Sequence, residues 1–217
     1  MKEVSVLGGT GLVGRMLMNE LIADPAVGRI QIWSRRPIKI DNDKVEVIVA
    51  DLMEIEQHET PFGKDAVYCC VGTTNAKTPD ETTYRAIDYG IPVSAACKAR
   101  RDGTECFGVI SSIGANKQAQ PFYLRTKGEM ECDIQKHGPR RVVILRPSFL
   151  LGNRGEQRIG ESVGKFFIQL FGPLLFGSWK KYRGIQATTV ARALKRLSFH
   201  NQDQVIWESD EIEAAGK

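Results

Sequence analysis

The chain lacks the features that mark several large classes of protein. Its net charge is only +4 over 217 residues, and its Lys and Arg residues form no long basic run, which argues against a nucleic-acid-binding protein. No charged segment followed by an apolar core opens the sequence, so we expect no secretory signal. The most hydrophobic stretch, residues 166–176, is too short to cross a bilayer and is broken by Gly172 and Pro173.

The cysteines are few and show no pairing pattern. There are five, an odd number, and none of their spacings is that of a metal site: Cys69, Cys70, Cys97, Cys106 and Cys132. We therefore expect reduced thiols, no metal and a cytoplasmic protein. With 42% hydrophobic and 26% charged residues, the chain has the composition of one globular domain. We predict a single domain over residues 1–217, in which 152–217 form most of a C-terminal lobe.

A glycine-rich turn follows the first apolar run. Gly9, Gly11 and Gly14 satisfy G-x-G-x-x-G, while Gly8, Gly11 and Gly14 satisfy the looser G-x-x-G-x-x-G, so the first glycine is left open. The turn lies between a strand-like run at 4–7 and a helical pattern, which is the context that a dinucleotide site requires. Glycines there allow a tight turn and a close approach of the backbone to the pyrophosphate, which then lies at the helix N-terminus.

The end of the second predicted strand indicates which dinucleotide binds. Ser34, Arg35 and Arg36 follow that strand, where an Asp or Glu would accept from a ribose hydroxyl. Two guanidinium groups instead suit a 2′-phosphate, which favours NADP; a solvated basic turn is the structural alternative. Asp51, after the third strand, is assigned either to the adenine amino group or to a helix N-cap.

Strand-like and helix-like segments alternate along the chain. Apolar runs at 45–50, 66–71, 106–110 and 141–145 are separated by helical patterns at 83–98 and 123–136. This alternation predicts an α/β fold with a doubly wound, mostly parallel sheet. Ligands bind at the carboxyl ends of the strands in such sheets, so the polar residues that follow the strands are expected at one edge.

Candidate catalytic residues lie at that edge. Tyr123 and Lys127 are four residues apart on one helix, so the ammonium can lie near the phenol and lower its pKa towards neutrality. Such a tyrosine is a general acid or base for carbonyl–alcohol interconversion. Ser112, after the fifth strand, could hold the reacting oxygen, with Ser111 as the alternative.

At these residues the chain resembles the short-chain dehydrogenase/reductase superfamily, and specifically its atypical branch that includes the Tat-interacting oxidoreductase-like proteins and their bacterial relatives. The segments that carry the resemblance are 8–14, 34–37, 69–74, 110–116, 122–129 and 145–152. It implies a Rossmann fold with NADP(H), a Ser112, Tyr123 and Lys127 triad, and Lys127 on the nicotinamide ribose. The catalytic asparagine of typical members has no obvious counterpart here.

The resemblance also extends the expected cofactor site. It implies that Pro147 and Ser148 line the nicotinamide pocket and that Thr73 lies beside the ribose and phosphates. The full set of expected cofactor-binding residues is Gly8, Gly9, Thr10, Gly11, Leu12, Val13, Gly14, Ser34, Arg35, Arg36, Asp51, Leu52, Val71, Gly72, Thr73, Ser111, Tyr123, Lys127, Pro147 and Ser148.

Two functions from different classes are compatible with these residues. The first is an NADP(H)-dependent oxidoreductase that acts on a small carbonyl or alcohol, and the second is a non-catalytic NADP(H)-binding regulator or redox sensor. Three interpretations stay open for residues 166–176: a wall of the substrate pocket, a homodimer interface, or a peripheral membrane contact. We expect no nucleic-acid partner.

Overall fold

The structure is a computed structural model, and it describes residues 1–152, 183–201 and 203–217. In that part of the chain the strands are β1 (Lys2–Leu7), β2 (Val27–Ser34), β3 (Val45–Val49), β4 (Ala66–Cys69), β5 (Cys106–Ile110), β6 (Arg141–Arg146), β7 (Leu150–Leu151), β8 (Ile185–Gln186) and β9 (Ile206–Glu208). The helices are α1 (Leu12–Ile22), α2 (Glu81–Arg85), α3 (Ile91–Arg101), α4 (Phe122–His137), α5 (Ala187–Phe199) and α6 (Ser209–Ala215). A 3-10 helix spans Leu52–Gln57, and a π-helical turn spans Ala86–Gly90.

Seven strands form one parallel sheet. Their order is β3-β2-β1-β4-β5-β6-β9, while β7 and β8 form a separate two-stranded pair. Along the chain, strands are added outward from β1 to β3. The chain then crosses to the other side of β1 and adds β4, β5, β6 and β9. The predicted doubly wound parallel sheet is therefore confirmed. The direction of building reverses between β1 and β4, which opens a crevice at the carboxyl ends of these two strands.

Helices cover both faces of the sheet. Helices α1 and α5 pack together over one face, and α3 and α4 pack together over the other. The central strands are buried on both sides, which explains why their sequences are nearly continuous apolar runs. The apolar stripe of Val190, Ala193, Leu194 and Leu197 predicts α5, and all four side chains are buried.

The helix expected over residues 83–98 is present with an interruption. Pro92 has no N–H group to pair with the carbonyl oxygen of Asp88, four residues earlier, and its ring crowds that oxygen. The helical turn there contains one extra residue, and the Ile91 N–H bonds to the Ala86 carbonyl instead. Asp88 therefore lies inside a π-helical turn between α2 and α3.

Two expectations fall mostly outside the described residues. The hydrophobic stretch at 166–176 lies there entirely, and the lobe expected over 152–217 is described only at 152, 183–201 and 203–217. The division into a main body and a lobe therefore stays a prediction. The described C-terminal elements join the main body, because α5 packs on α1 and β9 pairs with β6.

Candidate active site

The glycine turn after β1 resolves which glycine opens the fingerprint. Gly8 has φ +77°, and a Cβ there would lie 2.7 Å from the carbonyl carbon of Cys70. A Cβ on Gly14 would lie 2.2 Å from the Gly8 carbonyl oxygen. At Gly9 a Cβ would first meet the movable end of the Ile32 side chain. The backbone therefore requires glycine at 8 and 14, which favours the G-x-x-G-x-x-G pattern that starts at Gly8.

The first turn of α1 suits an anion. Gly11 is the N-cap residue and is exposed, no side chain caps the helix, and the first turn contains no acidic residue. The N–H groups of that turn keep their hydrogen-bonding capacity, and the helix dipole adds a partial positive charge. Thr10 is exposed beside them, Leu12 is half-buried and Val13 is in the core. These residues fit the pyrophosphate of a dinucleotide.

The residues expected at the adenosine end lie after β2 and β3. Arg35 and Arg36 are exposed, and neither forms an ion pair within the residues that the structure describes. The Ser34 hydroxyl accepts from the Arg36 N–H at 3.4 Å. Asp51 accepts from the Met53 N–H at 2.9 Å and so caps the 3-10 helix, while Leu52 is buried. The N-cap alternative for Asp51 is thus observed, and its adenine contact stays a prediction.

The two serines after β5 have different environments. The Ser111 hydroxyl donates to the Glu131 carboxylate, which also accepts from Arg146 at 2.9 and 2.6 Å. Glu131 is only 3% exposed, so this is a buried ion pair that ties α4 to β6. Ser112 instead lies beside Tyr123, and its hydroxyl interacts with the phenol. Of the two alternatives, Ser112 is the serine next to the candidate catalytic tyrosine.

Tyr123 and Lys127 lie on the first two turns of α4. Tyr123 is half-buried, and its ring meets the ring of Tyr84 edge-on with centroids 6.3 Å apart. Lys127 is 4% exposed, and its Nζ donates to the carbonyl oxygen of Ile110 at 3.4 Å. Its ammonium also lies 3.0 Å from Oδ1 of Asp88. The expected grouping of Ser112, Tyr123 and Lys127 is present.

One expectation about this group is wrong. Burial raises the pKa of the Tyr123 phenol, and the opposing effects of the Lys127 charge and the Ser112 hydroxyl do not cancel it. The pKa of Tyr123 therefore lies above its usual value instead of near neutrality. Burial also opposes the charged form of Lys127, but Asp88 and Tyr123 together outweigh it and raise the pKa of Lys127.

Asp88 is the residue that the sequence analysis missed. Its carboxylate is 1% exposed and accepts from the Thr73 N–H at 2.7 Å, in addition to its contact with Lys127. A signal exists in the sequence: Tyr84, Asp88, Ile91 and Ala95 follow the helical spacing of a buried stripe. A carboxylate on such a stripe needs a buried partner.

The loop after β4 lies against this carboxylate. A Cβ on Gly72 would lie 3.4 Å from Oδ1 of Asp88, and the Thr73 hydroxyl hydrogen-bonds with that of Thr78 at 2.9 Å. Val71, the residue before them, is half-buried. This loop therefore lies directly against the carboxylate that pairs with Lys127.

The segment after β6 is held by hydrogen bonds, two of which join it to residues nearer the C-terminus. The Pro147 carbonyl accepts from the Ile113 N–H at 3.1 Å. Ser148 is buried: its N–H donates to the Ser209 hydroxyl at 3.2 Å, and its own hydroxyl donates to the Arg183 carbonyl. The expected roles of Pro147 and Ser148 at the nicotinamide stay predictions.

Comparisons of the sequence with known proteins give a family and several relatives. The sequence model of the NAD(P)H-binding family covers residues 8–167. The chain is 32% identical to Protein FMP52, mitochondrial, of Candida albicans over 93% of this chain and 92% of that protein. It is 30% identical to Protein HTATIP2 of Rattus norvegicus over 89% of this chain and 79% of that protein.

Solved structures share the fold at lower identity. A UDP-N-acetylglucosamine 4-epimerase from Methanobrevibacter ruminantium has a TM-score of 0.70 at 15% identity, over 95% of this chain and 76% of that one. The Bordetella bronchiseptica enzyme WbmG, solved with NAD and UDP, has a TM-score of 0.66 at 15% identity, over 97% and 76%. At such identities the likeness shows the Rossmann-like fold alone.

The expectation of a cytoplasmic protein is wrong. Fungal relatives of the chain, among them those of Candida albicans and Debaryomyces hansenii, are named mitochondrial. The described cysteines are free thiols, and free thiols do not distinguish one reducing compartment from another. Among the described residues, no helix is long and apolar enough to cross a membrane.

The glycine turn, the parallel sheet and the two curated relatives lead to one assignment. The chain belongs to the NAD(P)H-binding family of Rossmann-fold proteins, together with FMP52 and HTATIP2, in the atypical branch of the short-chain dehydrogenases/reductases.

Proposed function

We propose that this protein is an NADP(H)-dependent oxidoreductase that interconverts a carbonyl and an alcohol. The observation that carries the proposal is the convergence of Ser112, Tyr123 and Lys127 at the sheet edge that also bears the glycine turn. An acid–base tyrosine beside an ammonium group is the equipment that carbonyl reduction needs. A helix surface with a purely structural role would not need these three side chains together.

The expected cofactor fits the residues around this edge. The turn of Gly8, Gly11 and Gly14 would hold the pyrophosphate, and Arg35 with Arg36 would hold the 2′-phosphate. Lys127 has three donors, of which Ile110 and Asp88 engage two, so one is available for a ribose hydroxyl. When bound, the cofactor supplies the hydride.

The environment of Tyr123 suits a proton donor in carbonyl reduction. Because burial raises its pKa, the phenol keeps its proton at neutral pH and can donate it to the oxygen of a carbonyl substrate. Ser112 holds that oxygen through its hydroxyl, and Lys127 stabilises the phenolate that remains. The proton then returns to Tyr123 from solvent before the next turnover.

The direct test of the proposal is NADPH oxidation with a panel of aldehydes, ketones and quinones. We expect steady turnover with at least one member of the panel. NADPH that binds tightly without turnover on any member, together with partner binding that depends on NADPH, would instead support a regulator.

NADPH should bind more tightly than NADH, because two guanidinium groups and no carboxylate follow β2. A hydrogen bond to a charged group contributes about 1.5–3 kcal/mol, so we expect a preference of roughly ten- to a hundredfold. The measurement is a calorimetric titration with each dinucleotide at one salt concentration. Replacing Arg35 and Arg36 together by Ala should remove the preference.

The matched control is the double replacement of Arg100 and Arg101 by Ala. This is another exposed pair of adjacent arginines, at the end of α3 that leads into the amino end of β5. It should leave the preference for NADPH unchanged. Equal affinities for the two dinucleotides in the wild-type protein would contradict the assignment of NADP.

Lys127→Met should shift the pH dependence of carbonyl reduction upward. The positive charge of Lys127 lowers the pKa of Tyr123, so its removal raises that pKa further. The alkaline limb of the pH–rate profile, which reports loss of the phenol proton, then moves to higher pH. NADPH should also bind more weakly, because a donor to the ribose is lost. Lys136→Met, an exposed change on the same helix, should do neither, and a limb that stays in place in Lys127→Met would argue against the role.

A further inference from the structure

A second buried charge lies behind the candidate catalytic residues. Oδ1 of Asp88 is 3.0 Å from Nζ of Lys127, and both side chains are almost fully buried. Its other oxygen, Oδ2, accepts from the Thr73 N–H at 2.7 Å. One carboxylate therefore joins the candidate catalytic lysine to the loop that follows β4.

The backbone at Asp88 is itself unusual. The residue lies in the π-helical turn at Ala86–Gly90, which widens the helix opposite α4. Turns of this kind occur frequently at functional sites. Two independent features, a buried ion pair and a local change in helix geometry, thus coincide at one residue.

The pairing restricts where the ammonium of Lys127 can be. A lysine side chain has a flexible four-carbon stem and would otherwise sample several positions. Contacts with Asp88 on one side and the Ile110 carbonyl on the other fix it beside Tyr123. The same carboxylate accepts from the Thr73 N–H. The order of the loop and the position of Lys127 therefore both depend on Asp88.

We propose that Asp88 is a positioning residue: it holds Lys127 in place for the nicotinamide ribose and for Tyr123, and it couples that placement to the loop at Thr73. This inference rests on the proposed function, because the lysine it positions is the one assigned to the cofactor. Asp88 itself touches neither substrate nor cofactor.

The charges around the phenol set the direction of the expected effects. The groups that act on Tyr123 are Lys127 and Glu131 on α4, Asp88 in the π-helical turn, and the Ser112 hydroxyl after β5. The groups that act on Lys127 are Asp88, Tyr123 and the Cys69 thiol at the end of β4. Among these, the negative charge of Asp88 raises the pKa of Tyr123. Asp88→Asn removes that charge but keeps an acceptor for Lys127, so the ammonium stays in place and the pKa of Tyr123 should fall. Asp88→Ala also releases the ammonium, so the pKa of Tyr123 should lie higher in Asp88→Ala than in Asp88→Asn.

The first measurement is the titration of Tyr123 in the cofactor-free protein. Carbon-13 labelling of the tyrosine ring reports ionisation of each phenol by NMR, and the Tyr123→Phe spectrum assigns the signal. We expect the midpoint to move to lower pH in Asp88→Asn. Asp133→Asn is the matched control, because Asp133 accepts from Tyr89 on the outer side of the same two helices, and it should not move the midpoint.

The second measurement is a double-mutant cycle on NADPH affinity. Asp88→Ala should weaken NADPH binding about tenfold in the wild-type background, the effect of one mispositioned charged hydrogen bond. In the Lys127→Met background it should cost clearly less, because the placed ammonium is already absent and only the hydrogen bond to the Thr73 N–H is lost. This double variant also removes both buried charges, so it is expected to fold even where a single change leaves one charge uncompensated.

Two results would overturn the proposal: a Tyr123 midpoint that is the same in Asp88→Asn and Asp88→Ala, or equal losses of NADPH affinity from Asp88→Ala in both backgrounds. Neither measurement requires turnover. A protein that shows the titration shift and the coupled affinities, yet reduces no carbonyl, would retain the role of Asp88 and lose the proposed reaction.

Discussion

Replacing Tyr123 by Phe should lower turnover by about a hundred- to ten-thousandfold and leave NADPH affinity nearly unchanged. The substitution removes one hydroxyl, and the loss of a group that transfers a proton in the transition state typically costs that much in rate. The ring remains, so its edge-on contact with Tyr84 is preserved. The measurement is kcat on a carbonyl substrate from the panel, together with a calorimetric titration of NADPH.

Tyr89→Phe is the matched control for this experiment. It makes the same chemical change in the π-helical turn, where the Tyr89 hydroxyl donates to Asp133 at 2.6 Å on the outer side of the helices. Its kcat should stay close to that of the wild-type protein. An unchanged kcat in Tyr123→Phe on a genuine substrate would refute the role of Tyr123. Ser112 would then be the next candidate for that role.

Gly11→Val should abolish dinucleotide binding in a protein that still folds. A Cβ on Gly11 would lie 3.2 Å from the Gly8 carbonyl oxygen, a close contact that a small shift relieves, and the residue is exposed. The valine side chain would instead occupy the space in which the pyrophosphate meets the N-terminus of α1. Gly14 is unsuitable for this test, because a Cβ there would lie 2.2 Å from the Gly8 carbonyl oxygen and would disturb the turn itself.

Asn19→Val controls for the presence of an additional valine in this part of the chain. Asn19 is an exposed residue of the same helix, two turns beyond the glycines. Circular dichroism should show folded protein for both variants, and only Gly11→Val should lose NADPH binding. Retained binding in Gly11→Val would mean that the phosphates lie elsewhere.

The sheet could be predicted because its signals are local. Apolar runs of strand length, separated by helical patterns, specify a parallel α/β sheet wherever both faces of each strand are buried. The amphipathic spacing of α5 and the Gly138 that ends α4 are signals of the same kind. The π-helical turn inside the pattern at 83–98 was not predicted, although Gly90 and Pro92 are residues that commonly disturb a helix.

The candidate site could be predicted only in part. Ser112, Tyr123 and Lys127 are recognisable by spacing and by position after a strand. Asp88 was missed, because the contact that reveals it joins residues 39 positions apart in sequence on two different helices. Which of Ser111 and Ser112 faces the phenol depends on Glu131 and Arg146, whose pairing also requires the folded chain.

The pKa of Tyr123 shows why spacing alone misleads. The four-residue spacing of Tyr123 and Lys127 predicts an attraction between phenolate and ammonium, and that attraction is present. Burial acts in the opposite direction and is the larger effect. The depth of a side chain depends on the packing of α2, α4 and the sheet, which no local pattern encodes. A raised pKa suits the general acid of the two roles that the spacing allows.

The most direct test of the account is the transfer of deuterium from labelled NADPH. The protein is incubated with NADPH deuterated at the transferable position of the nicotinamide and with the aldehydes and ketones of the panel, and the products are analysed by mass spectrometry. We expect an alcohol that carries deuterium on its former carbonyl carbon, formed by the wild-type protein and reduced at least a hundredfold in Tyr123→Phe. Tight binding of NADPH without deuterium in any product would contradict the proposed reaction.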